Sequence, residues 1–246
     1  MNRFYLMLIA LVAAGTATAQ TDTLLWEPFQ TDNSANWANF PDDGTDTLWI
    51  NWDEDGKEAA SGFPSDFFYD LDWGQAELMD SIPPTDSNFV IVARSWLADF
   101  DTVSSNWFIT PAIQIVDDQA TLHWKSAPFQ GPRYMDGYAV KVLVGANSYF
   151  DADMEVTVFR AAEMTGWIGD NSSLDLDSFT FSPGYIHANG FTDTMYFVPA
   201  DSTETSHLGL LEPHSVSLAQ FAGQTIYVAF HHDSADDNLI MFDDIL

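Results

Sequence analysis

Apolar and polar residues alternate with a period of two along much of this chain, the pattern of strands that bury one face. The clearest instance lies near the end, where Ile226, Val228 and Phe230 alternate with Thr225, Tyr227, Ala229 and His231. A polar turn over 232–238 follows, then a short apolar run over 239–242 and the acidic pair Asp243-Asp244. Tyr138, Val140, Val142 and Val144 mark one face of another strand over 138–146. Further strands are predicted over 24–29, 48–52, 89–97, 106–111, 112–116, 120–127, 155–161, 195–198 and 214–218. Helical periodicity is nearly absent, with one turn expected over 75–79 and another from Leu218 to Phe221, closed by Gly223. About ten to twelve short strands joined by polar turns predict an all-β, antiparallel sandwich or barrel. Two long polar stretches, 57–88 and 163–194, read as insertions, and no linker or repeat divides the chain.

The first residues change the address of the protein. Arg3, the apolar run 4–14 and Ala17-Thr18-Ala19 have the layout of a secretory signal over 1–20, leaving 21–246 as a single domain. That apolar run is too short to span a bilayer, so no membrane insertion is expected. The chain has no cysteine, so an exported protein of this kind must be held by its core, by metal, or by both. Nineteen Phe, nine Trp and eight Tyr supply a large core. Against 37 acidic residues stand 7 basic ones, a net charge of −30. That balance argues against nucleic acid and anionic membrane surfaces as partners, and favours cations.

An ordered series of short motifs runs through the chain. It begins with Glu27 and Phe29, then Trp52-x-x-Asp55-Gly56, Ser95-Trp96, Asn106-Trp107-Phe108-Ile109-Thr110-Pro111 and Asp136-Gly137-Tyr138. It closes with Val216-Ser217-Leu218-Ala219-Gln220-Phe221-Ala222-Gly223, then Val228-Ala229-Phe230-His231-His232 and Phe242-Asp243-Asp244-Ile245. In this order the series resembles the cleaved-adhesin, or choice-of-anchor J, domain of exported Bacteroidetes proteins, including the adhesin regions of gingipains. The resemblance implies a jelly-roll β-sandwich with structural calcium, secreted or displayed at the cell surface through type IX secretion. It also implies a C-terminal sorting domain. Leu246 falls within what the pattern makes the last strand, so a fragment, or a chain without its anchor, is expected.

Candidate chemistry follows from this frame. Ca²⁺ takes six to eight oxygen ligands, several of them carboxylates. Asp53 and Asp55 flank a turn that Gly56 permits, and a jelly roll that sets its first and last strands side by side would bring Glu27 to Asp243 or Asp244. These five are the predicted calcium ligands, in one or two sites that tie both chain ends together. Alternatively, Asp53 and Asp55 cap a turn and Glu27 takes backbone donors. Asp233, Asp236 and Asp237 form a second, weaker set of candidate calcium ligands, with a solvated polar turn the favoured reading. The histidines fit no zinc spacing, and His231 is expected to pack opposite Phe230. There is no Gly-x-Ser-x-Gly, no cysteine, and no local Ser/His/Asp grouping beyond what chance gives in an Asp-rich chain, so the chain reads as non-enzymatic. Trp73 and the aromatics 67–69 in the first insertion, and Trp167 in the second, either stack on a ligand's sugar rings or plug the ends of the sandwich. The expected function is adhesion to an extracellular protein or glycan. The alternative is a carbohydrate-binding accessory module of a larger exported hydrolase.

Overall fold

The two closing strands do not pair with each other; each lies inside a different sheet. In the computed structural model, residues 23–29, 34–39, 48–60, 66–71, 89–99, 102–145, 154–168, 178–184, 196–199 and 207–246 are described. In chain order their strands are β1 (Ala38–Asn39), β2 (Ile50–Asp53), β3 (Phe68–Leu71), β4 (Phe89–Arg94), β5 (Asn106–Ile109) and β6 (Ile113–Gln114). Next come β7 (Thr121–Pro128), β8 (Gln130–Gly131), β9 (Tyr138–Val144), β10 (Met154–Ala161), β11 (Met164–Trp167) and β12 (Phe179–Phe181). The last are β13 (Phe197–Pro199), β14 (His207–Gly209), β15 (Glu212–Ser217), β16 (Thr225–His232) and β17 (Leu239–Asp243). No α-helix occurs among the described residues.

A seven-stranded sheet runs β1-β2-β5-β16-β9-β10, with β6 continuing beside β16. A five-stranded sheet runs β15-β7-β17-β4-β3. Apart from the parallel β1–β2 pair, the neighbours in both sheets are antiparallel. The sheets face each other across one hydrophobic cluster, giving the antiparallel jelly-roll sandwich that the alternation predicts. Tyr138, Val140, Val142 and Val144 all enter this cluster, as do Ile226, Val228 and Phe230. At its centre the Phe242 ring meets Tyr138 edge-on at 4.6 Å and Phe230 at 5.2 Å. Tyr227, Ala229, Trp107 and Leu143 form a second buried cluster on the outer side of the larger sheet.

Three expectations need correction. The succession of strand, polar turn and strand over 225–243 suggests a hairpin, but the turn after His232 carries the chain from the middle of one sheet to the middle of the other. Both flanks of each strand are taken by other strands, so β16 and β17 have no free edge to share. Residues 24–29 make no strand beyond a single bridge, with Glu27 N–H to Ile245 O at 2.8 Å and the return bond at 3.0 Å. Phe29, buried and at φ 48°, turns the backbone out of the extended region there. The polar stretches are not wholly loop: β3 lies in the first, at the edge of the smaller sheet, and β11 pairs with β12 in the second. The turn expected over 75–79 lies outside the described residues, as does the segment 1–20.

Candidate functional site

The crossing turn 233–238 is held by buried polar groups rather than by solvent. Asp136, just before β9, has a fully buried side chain. Its Oδ1 accepts from Ser95 Oγ at 2.6 Å and meets His232 Nε2 at 2.9 Å, and its Oδ2 accepts from the Asn238 N–H at 2.8 Å. Ser234 Oγ accepts from the Gly137 N–H at 2.7 Å and donates to the Gly137 carbonyl at 2.9 Å. Ser95 Oγ also accepts from the Asp237 N–H at 3.2 Å. These bonds link residues up to 142 positions apart, so the turn is fixed by the assembled sandwich and not by its own sequence.

Asp237 is therefore not solvated, contrary to the reading of this turn as a polar surface. It is 5% exposed, and neither carboxylate oxygen has a hydrogen-bond partner. Glu163, between β10 and β11, has a buried Oε2 in the same condition. Burial pushes the Asp237 carboxyl strongly upward, and the charges of Asp136, Glu163 and Asp236 add to this. Glu163 is raised too, mainly by burial, with a Ser234 hydrogen bond opposing.

The five predicted metal ligands fall into two sets at opposite ends of the sandwich. Asp53 ends β2 opposite Asn106, whose neighbour across β5 is His232 at the crossing turn. Glu27 bridges Ile245, two residues past Asp243, at the other end of β17. Every member has a donor of its own. Glu27 Oε1 accepts from the Phe29 N–H at 3.1 Å, and Asp243 Oδ1 from the Asp244 N–H at 2.8 Å. Asp244 pairs with Lys125 Nζ at 2.6 Å. Asp53 caps the Gly56 N–H at 2.7 Å, while Asp55 accepts from Lys57 and Ser105. Asp66, from the first insertion, is close enough to Asp53 for its charge to raise the Asp66 carboxyl, after burial. Among the described residues, no three Asp, Glu, His or Cys side chains gather as a metal-binding group.

Serine does meet histidine, at separations that no local motif could reveal. Ser105 Oγ lies 3.0 Å from His231 Nε2 but donates to Glu54 Oε2, which also accepts from Trp107 Nε1 at 2.9 Å. His231 packs flat on Trp107, on the face opposite Phe230, as its place in the alternation predicts. Ser126 Oγ lies 2.9 Å from His214 Nε2 and 2.7 Å from Tyr138 OH, which accepts from Trp124 Nε1 at 2.8 Å. The indole can only donate, so the Tyr138 hydroxyl accepts from it, while the two links onward through Ser126 to His214 can run in either direction. Burial lowers His214 to about 4, so the ring is neutral near pH 7. In both pairs the serine is committed to a structural partner.

One surface differs in kind. Trp167, at the end of β11, is 45% exposed. Its ring meets Tyr134 edge-on at 6.2 Å and 77°, and the Arg133 guanidinium lies 5.2 Å from the Tyr134 ring centre. Tyr134 sits at φ 57°, in the turn after β8. Arg133 and Tyr134 escaped the sequence reading because nothing local marks them; β11 brings Trp167 to them across more than thirty residues. Phe67 instead plugs the core, and Trp73 lies outside the described residues.

The fold defined by these elements is an antiparallel β-sandwich. The chain is similar to the K1 cleaved adhesin domain of Lys-gingipain from Porphyromonas gingivalis W83, at 17% identity and a TM-score of 0.48, over 91% of this chain and 96% of that one. The K2 cleaved adhesin domain of Lys-gingipain is similar at 18% identity and a TM-score of 0.42, over 90% and 95%. A structure of carbohydrate-binding modules from the β-sandwich superfamily is similar at 8% identity and a TM-score of 0.35, over 78% and 61%. No family model matches the chain, and no curated protein matches it.

Proposed function

We propose that this protein is an exported, non-catalytic binding module, stabilised by Ca²⁺, that recognises an extracellular glycan through the surface of Trp167, Tyr134 and Arg133. The observation that carries this reading is the exposed Trp167 indole, held against Tyr134 with a guanidinium beside the pair. Exposed indole faces stack on the apolar faces of pyranose rings, and a guanidinium presents a fork of donors to hydroxyls and carboxylates. The strand pair β11–β12 supplies a backbone support that a free loop would lack. A bound ion would take the role that disulfides play in other exported domains. The signal-like first residues support export, and among the described residues no helix is long and apolar enough to cross a membrane.

The test is a glycan array probed with the whole chain and with Trp167→Ala. The expected result is a restricted set of glycans whose binding weakens roughly tenfold or more in the variant, ~1.4 kcal/mol. Unchanged binding in Trp167→Ala would remove the site. An array with no bound glycan would turn the reading towards a protein partner.

A further inference from the structure

We propose that Asp237 and Glu163 form a site for a hard divalent cation, Ca²⁺ by the nature of its donors, beneath the turn that crosses between the sheets. The inference rests on the reading of a calcium-stabilised module and gives the ion a place that differs from all five ligands expected from the sequence. Three buried carboxylate oxygens stand without partners here: both of Asp237 and Oε2 of Glu163. The five expected ligands each accept from a backbone N–H or a lysine. An unpaired buried carboxylate is strongly unfavourable and must find either a proton or a cation.

A proton is the poorer solution. One proton shared between the two carboxyls would satisfy Glu163 Oε2 and one Asp237 oxygen, but would leave the second Asp237 oxygen without a donor. Among the described residues no basic side chain donates to either Asp237 oxygen. Arg160 is spent on Asp233, with bonds of 3.3 and 2.6 Å, and His232 on Asp136 at 2.9 Å. The backbone at Asp237 is fixed in place. Its N–H is tied to Ser95, and the next N–H to Asp136. Glu163 lies against Gly137, the residue that Ser234 of the turn holds, and a cation there would draw on acceptor oxygens alone. Two carboxylates fall short of a full shell, so backbone carbonyls and water would complete it, as Ca²⁺ accepts and Zn²⁺ with its nitrogen and sulfur preference does not.

The position has a consequence for binding. Asp237 lies in the connection between the central strands of both sheets, and Glu163 directly precedes β11, the strand that ends in Trp167. An ion between them would pin the sandwich to the strand that presents the aromatic surface.

The experiment compares thermal melting of the whole chain in excess EDTA and in excess Ca²⁺, for the natural sequence, Asp237→Asn, Glu163→Gln and Glu27→Gln. Tb³⁺ luminescence excited through tryptophan serves as a direct binding readout. We expect Ca²⁺ to raise the Tm of the natural protein by about 5–10 °C at roughly a hundred times Kd. Asp237→Asn should lose that rise and the Tb³⁺ signal, and in EDTA should melt at or above the natural protein, since the buried charge is gone. Glu163→Gln should weaken both responses, and Glu27→Gln should keep them. An Asp237→Asn protein that keeps the full Ca²⁺ response overturns the site while leaving the calcium reading intact. A natural protein indifferent to both Ca²⁺ and EDTA overturns both. Should Asp237→Asn fail to fold, full Tb³⁺ binding by folded Glu163→Gln overturns the site.

Discussion

The imidazole of His231 lies flat on the indole of Trp107, with ring centres 3.8 Å apart and planes 16° from parallel. Lys141 Nζ stands 4.3 Å from the same indole's centre, so a cation already occupies the neighbourhood. Burial first, and then the Lys141 charge, lowers His231 to about 4. His214 is lowered to about 4 by burial alone.

Both histidines are neutral in the folded protein well below the pH at which they take protons in the unfolded chain, about 6.5. Between about 6.5 and 4 the unfolded state therefore binds more protons, and stability falls as pH falls. Above that window the contribution is complete; near 4 the folded histidines protonate and the loss levels off. At 1.36 kcal/mol per pKa unit, each accounts for about 3 kcal/mol. The raised buried carboxyls, Asp237 above all, slope stability the other way, so the readout is the difference in denaturant stability between the natural protein and His214→Gln, which should change as pH falls from about 7 to 4.5. A difference that stays constant over that range would contradict the neutral assignment of His214.

Tyr138→Phe breaks the chain of hydrogen bonds from Trp124 through Tyr138 and Ser126 to His214 at its second link. The ring and its contact with Phe242 remain, but the Trp124 N–H loses its acceptor and Ser126 loses a hydrogen-bond partner. The expected cost is about 1–3 kcal/mol, read as a lower denaturant midpoint at unchanged slope. A neutral result would mean that water replaces the hydroxyl.

Lys125→Met should behave quite differently, although its bond to Asp244 is short at 2.6 Å. Both side chains are substantially exposed, so solvent and salt screen the pair. The expected loss is below about 1 kcal/mol, shrinking further in high salt. A loss of several kcal/mol would show that the end of the chain depends on this pair rather than on the Glu27–Ile245 backbone bonds.

The strands of the two sheets were legible in the sequence because their alternation is local. A buried face needs an apolar residue at every second position, and 138–144 and 225–232 satisfy that with no reference to the rest of the chain. The fate of His231 followed from the same count. Strand β3 and the β11–β12 pair were read as loop because short strands outside the sheet centres need no long apolar run.

Partnership was not legible. Alternation shows which face of β16 and β17 is buried but not which strands lie beside them, and so the two were mistaken for a hairpin. The acids were harder still, since 37 of them share one local chemistry and the sequence cannot rank them. Burial and the supply of donors rank them, and both come from residues far away in the chain. Ser95, Asp136 and Gly137 fix the turn around Asp237, while Glu27 and Asp243 find backbone donors nearby. The sequence by itself determined an all-β chain with a large aromatic core and no disulfide; the tertiary structure alone decided which carboxylates are left without a partner, because that is a property of distant groups brought together.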